Sequence, residues 1–107
     1  MIEVTLSYDL LPNVDMNAYK EWVKKTVETM VKQPGVMEFR AHRNAFLLTT
    51  PQIRACTVWR SMEDWAKFEQ GEVWHSIAAG FRGFGTNFKV ELWGPSPLVA
   101  EPVRPPK

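Results

Sequence analysis

The chain has 107 residues, enough for one domain with little to spare. Its 45% hydrophobic and 12% aromatic content excludes a disordered polymer, and a formal charge of +1 from scattered basic residues gives no electrostatic footprint for nucleic acid or an anionic membrane. Cys56 is the single cysteine, which excludes an internal disulfide framework and a four-cysteine zinc site and is expected to be an inert buried thiol.

The opening Met1-Ile-Glu-Val-Thr lacks the basic and then apolar pattern of a secretion signal, and no apolar run approaches the length of a membrane span. A cytoplasmic protein with no membrane or nucleic-acid partner is the expectation. From Ile2 to Leu11 apolar Ile2, Val4, Leu6, Tyr8 and Leu10 alternate with Glu3, Thr5, Ser7 and Asp9, the period of a strand with one greasy face. After Pro12-Asn13, with Asp15 or Asn13 as cap, Met16 to Lys32 carries apolar residues at helical spacing. Its other face offers Glu21–Lys25 and Glu28–Lys32 as i,i+4 pairs, and Pro34-Gly35 ends it.

Val36 to Ala45 alternates again, with Met37, Phe39 and Ala41 on one face and Glu38, Arg40, His42 and Asn44 on the other. The second face is read as turned toward a partner subunit. Phe46 to Gln52 reads as a loop. Arg54 to Arg60 is a short β-branched and apolar run, followed at once by Ser61-Met-Glu-Asp64, a serine cap with an acidic residue three places on. Trp59 is thereby held at a seam between strand and helix, with Trp65 two turns away on the side of Met62 and Phe68. Two indoles at one seam either fill a core or line a pocket.

Gly71 ends this helix, and Glu72 to Arg82 forms a second short one with Val73, Trp74, Ile77, Ala78 and Phe81 along one face. Gly80, Gly83 and Gly85 are expected to loosen the chain before a last strand, Phe88 to Trp93. The stretch Gly94 to Lys107 holds five of the eight prolines and reads as an extended arm, either solvated or laid over a partner through Leu98, Val99 and Val103.

The order β-α-β-β-α-(α)-β predicts an α+β, ferredoxin-like domain over residues 1–94, a four-stranded antiparallel sheet with helices on one face, and an arm over 95–107. The bare sheet face predicts a homodimer, closed sheet to sheet.

The residues Pro34-Gly35-Val36, Thr57-Val-Trp59, Ser61-Met-Glu63 and the helical Trp65–Phe68 segment resemble the antibiotic biosynthesis monooxygenase family, in order and spacing over residues 2 to 94. The resemblance implies a dimeric α/β barrel and a pocket between sheet and helices. Members of that family include oxygenases of phenolic or polyketide-like aromatics that need neither metal nor flavin, haem-binding and haem-degrading proteins, proteins of quorum-signal processing, and proteins with no assigned reaction.

Oxygen reacts slowly with closed-shell organics, so chemistry without a cofactor requires the substrate itself to become an electron-rich anion. The resemblance to the quinone-forming branch places Trp59 at its strand tryptophan and Trp65 at a later aromatic. It puts Ala55 where that branch has asparagine, and Arg82 nearest to its arginine. Aligned on the haem-degrading branch, Ser7, Phe68 and Ala78 stand where it has asparagine, tryptophan and the iron-ligating histidine, with His75 one turn earlier.

The expected catalytic residues are therefore Trp59, His75 and Arg82, and the expected substrate contacts are Ser7, Trp65, Phe68, Trp74 and Ala78. No metal and no cofactor is expected, the substrates being a small aromatic compound and molecular oxygen. The alternative is a haem- or small-ligand-binding protein of the same fold without catalysis. No Ser-His-Asp spacing, phosphate loop or metal-ligand cluster appears.

Overall fold

Strand β1 (Ile2–Leu10) is the spine of a four-stranded antiparallel sheet in a computed structural model that describes residues 1–46 and 49–106. Leu47 and Leu48, within the expected Phe46–Gln52 loop, and Lys107, within the arm, lie outside the described residues. Strands β2 (Val36–Arg43), β3 (Ile53–Trp59) and β4 (Gly85–Trp93) complete the sheet in the order β2-β3-β1-β4. Helices α1 (Met16–Met30), α2 (Met62–Glu69) and α3 (Glu72–Arg82) complete the expected ferredoxin-like order, with the last pair joined by Gln70 and Gly71.

The greasy face of β1 meets the helices. Val4, Leu6 and Tyr8 join Tyr19 and Met30 of α1, Trp59 of β3, Trp65 and Phe68 of α2, and Ile77 and Phe81 of α3 in one core. Each such side chain contributes at most about 1.5–3 kcal/mol by leaving water. Helix α1 depends on this packing, because neither Glu21–Lys25 nor Glu28–Lys32 closes to ion-pair distance among the described residues. Asp15 caps it, accepting from the Asn17 and Ala18 amides.

Ser61 caps α2 by accepting the Asp64 amide at 3.1 Å. The return half of the box is diverted: the Asp64 carboxylate accepts from the Ser61 hydroxyl and the Arg60 guanidinium, which hold its pKa below the ordinary carboxylate value, Arg60 being the larger cause. Gly35 has φ +91°, and a Cβ there would run into the Asp64 side chain, so the turn into β2 requires glycine.

Three details depart from the expected pattern. Met37 sits in a bulge between Val36 and Glu38, so it leaves the side of Phe39 and lines a groove with Glu38 and Arg40 on the opposite face. Strand β4 begins three residues early: Thr86 and Gly85 pair with Asp9 and Leu10 across an irregularity, where Asn87 takes φ 58° and donates to Asp9 Oδ2. Gly80 is no loosener. It lies inside α3, packed so close to the Trp22 indole that a Cβ has no room.

Candidate functional site

The seam at Trp59 is filled by its own rings. Trp59 is 0% exposed, and its indole N–H donates to the Thr57 hydroxyl at 2.8 Å. Trp65 meets Trp59 edge-on at 5.5 Å between centroids, Trp74 meets Trp65 edge-on at 5.3 Å, and Phe68 tilts against all three. Of the expected site residues, the fold thus brings together Trp59, Trp65, Phe68 and Trp74.

It leaves the others apart. Ser7 faces the far side of the sheet, in register with Arg54 and Lys89. Arg82 is exposed in the last turn of α3, Ala78 is half-buried beside Ile77, and His75 is exposed. The Gly71 carbonyl lies 2.7 Å from His75 Nδ1 and can only accept, so Nδ1 carries the proton and Nε2 is the basic nitrogen of the neutral ring. Trp74 and His75 both lie in the first turn of α3.

A second aromatic cluster escaped the sequence reading. The Tyr8 and Tyr19 hydroxyls lie 2.5 Å apart, buried between β1 and α1. Phe81 and Phe88 pack on Tyr8, and Trp22 and Phe84 pack on Tyr19. Burial pushes the Tyr8 pKa far above its ordinary value of 10.0, and the Tyr19 hydrogen bond adds to it. Burial raises Tyr19 as well, against the lowering effect of the bond to Tyr8. Both phenols stay neutral across the physiological range. One proton joins the two oxygens and the other is free to be donated.

Tyr8 pairs with Ile53, and Ile53 pairs with Arg43, so all three side chains share the helix-side face. At that end Leu10, Ile53, Arg43, Asn44, Thr49 and Gln52 line a cavity of about 220 Å³ that is open to solvent on one side. Its polar rim is braced: the Leu10 amide donates to Gln52 Oε1 at 3.0 Å, and Asn44 Nδ2 donates to the Thr49 hydroxyl and the Pro51 carbonyl. Arg43 brings the one cation among these lining residues, and the aliphatic Leu10 and Ile53 supply the walls. A space of this size admits only a small molecule. No group of three His, Cys, Asp or Glu side chains is placed to hold a metal among the described residues, and none of their helices is long and apolar enough to cross a membrane.

The fold is shared with solved structures. SnoaB, a cofactor-independent oxygenase from Streptomyces nogalater, superposes with a TM-score of 0.72 at 12% identity, over 89% of this chain and 92% of that one. A candidate antibiotic biosynthesis monooxygenase from Deinococcus radiodurans gives 0.74 at 7% identity over 100% of both chains. A dimeric protein of unknown function and ferredoxin-like fold from Bacteroides fragilis gives 0.63 at 8% identity, over 86% of this chain and 93% of that one. No protein-family profile and no curated protein matches the sequence. The chain therefore has the ferredoxin-like subunit fold seen in antibiotic biosynthesis monooxygenases.

Proposed function

We propose that the chain is the subunit of a homodimeric, cytoplasmic monooxygenase that acts on a small electron-rich aromatic compound without a metal or organic cofactor. The observation that carries this reading is the neutral Tyr8–Tyr19 hydroxyl pair, set in an aromatic layer one register step from a cavity with a cation at its rim. The fold shared with SnoaB supports it.

In this reading Arg43 draws a phenolate into the cavity and stabilises its charge, so the substrate itself supplies the electrons that oxygen needs. For a phenol oxidised to a quinone, one oxygen atom enters the ring, the other leaves as water, and both hydrogens of that water come from the substrate. For the tyrosine pair to donate to the developing oxyanion, the substrate must reach past Ile53, because neither hydroxyl lines the cavity itself. Trp59, Trp65, Phe68 and Trp74 pack the opposite end of the same sheet face, six residues along β3 from Ile53, and brace the fold rather than the cavity. His75 and Arg82 stand exposed on α3 and do not line this cavity.

Oxygen uptake with a panel of naphthol-like and anthrone-like substrates tests the proposal, with quinone formation followed by absorbance. A folded dimer that consumes no oxygen with any of them overturns it. The second reading, a small-ligand-binding protein without catalysis, is favoured by one observation: the residues lining the cavity include no carboxylate or imidazole to act as a base. Quenching of tryptophan emission by naphthol, without turnover, would select it. A cavity of 220 Å³ speaks against haem at this place, and a Soret titration of the chain and of His75→Ala decides that case on α3.

A further inference from the structure

The sheet face away from the helices carries Glu3, Thr5, Ser7 and Asp9 of β1 in register with Val58, Cys56 and Arg54 of β3 and with Trp93, Glu91 and Lys89 of β4. At one end of it, Met1, Met37, Val58 and Trp93 line a groove of about 600 Å³ whose far wall is the returning arm, Ala100 to Pro102. Ser96 makes that return by accepting the Leu98 and Val99 amides. Trp93 is 53% exposed and Met37 60%, while the Trp93 N–H donates to the Thr5 hydroxyl at 3.3 Å and so fixes the ring on the sheet.

We infer that this groove receives the proline-rich C-terminal segment, Pro102 to Lys107, of a second copy of the chain. The proposal rests on the homodimer reading and adds to it the contact that each arm makes. Four features support this occupant.

An aromatic and apolar groove suits a polyproline segment, whose shape is fixed before binding, so little entropy is lost on docking. The charges match: Glu3, Glu38 and Glu101 line the groove, where Arg40 is the one cationic side chain and is shared between Glu3 and Glu38, leaving an acidic surplus, whereas the segment beyond Glu101 carries Arg104 and Lys107 and no acidic side chain. The chain's own segment is ill placed to fill the groove, because it continues from the residues that form its wall. Val103 is accordingly 83% exposed in its own subunit. Finally, the radius of gyration is 15.2 Å, whereas a self-contained domain of this length has about 13 Å.

Sedimentation velocity over a micromolar concentration series tests this with the full chain, a chain ending at Pro102, and Arg104→Glu. Both variants should keep the full chain's far-UV circular dichroism, since the arm's side chains are exposed. Each should weaken dimerisation about tenfold or more. A peptide of residues 99–107 should bind the shortened chain and change its tryptophan emission, but not that of the shortened chain carrying Trp93→Phe.

If the shortened chain dimerises as tightly as the full chain, the inference falls while the dimer stands. Peptide binding without any change in dimerisation means docking within one chain and also overturns it. A full chain that is monomeric throughout the series removes the dimer reading and this inference together.

Discussion

Trp59 and Thr57 satisfy each other within one strand: the indole N–H donates to a hydroxyl two residues back, at 2.8 Å, inside the driest part of the core. The hydroxyl also donates to the Val4 carbonyl at 3.4 Å, tying β3 to β1. A tryptophan can be wholly buried here because its one polar atom is partnered. Thr57→Val keeps the shape and removes the acceptor. Chemical denaturation should show a loss of about 1–3 kcal/mol, the cost of an orphaned buried N–H.

The tyrosine pair predicts a non-additive series. Tyr8→Phe or Tyr19→Phe alone leaves one hydroxyl buried without a partner and should cost about 1–3 kcal/mol. The double variant removes both and should recover much of that loss in stability. If the proposed reaction is right, oxygen uptake should stay low in all three. Recovery of activity along with stability would remove the pair from the mechanism.

Alkaline pH should unfold the protein through the same two groups. Their folded pKa values lie above the ordinary 10.0, so the neutral phenols stabilise the native state fully below that value. As pH rises past it, the unfolded chain ionises its tyrosines and the folded chain does not, and stability falls. Denaturation midpoints should be flat near neutrality and drop above about pH 10, and the double phenylalanine variant should flatten that drop.

Helix α3 approaches α1 through Gly80, whose hydrogen lies where a methyl group would strike the Trp22 indole. Gly80→Ala raises helix propensity yet forces the two helices apart. Overpacking of this kind should destabilise by about 1–3 kcal/mol, outweighing the gain of about 1 kcal/mol from propensity. A more stable variant by thermal melt would show that Trp22 swings aside freely.

Arg43 and Arg82 compete for one role. Arg43→Ala should lower kcat/KM by about ten- to a hundredfold, the worth of a charge-assisted bond to the substrate anion, with stability unchanged. Arg82→Ala should leave turnover near that of the unaltered chain. The opposite result would move the anion site to the end of α3.

Much of the fold could be read from periodicity alone. The alternation in β1, the apolar stripe of α1, the Ser61 cap and the bounds of α3 all follow local rules, and the structure obeys them. What escaped depends on contacts between distant residues. Met37 leaves its expected face because a bulge shifts one register step, and β4 starts early because Asn87 adopts a left-handed backbone beside Asp9.

The tyrosine pair escaped for a related reason. Tyr8 and Tyr19 each read as one apolar position among several, and only the packing of α1 on β1 brings their oxygens together. A signal was present: a hydroxyl on each of two faces predicted to meet. Likewise Trp59 and Trp65 were visible at the seam, but whether four rings close it or leave a hole depends on side-chain rotamers, which spacing does not encode.

The edge-on chain of Trp59, Trp65 and Trp74 also has an optical consequence. Indole transitions held this close at steep angles couple to one another, so the native protein should display an exciton couplet in circular dichroism that vanishes once the rings separate. That band would report the closing of the core directly, apart from the backbone signal, and would give folding kinetics a probe that needs no label.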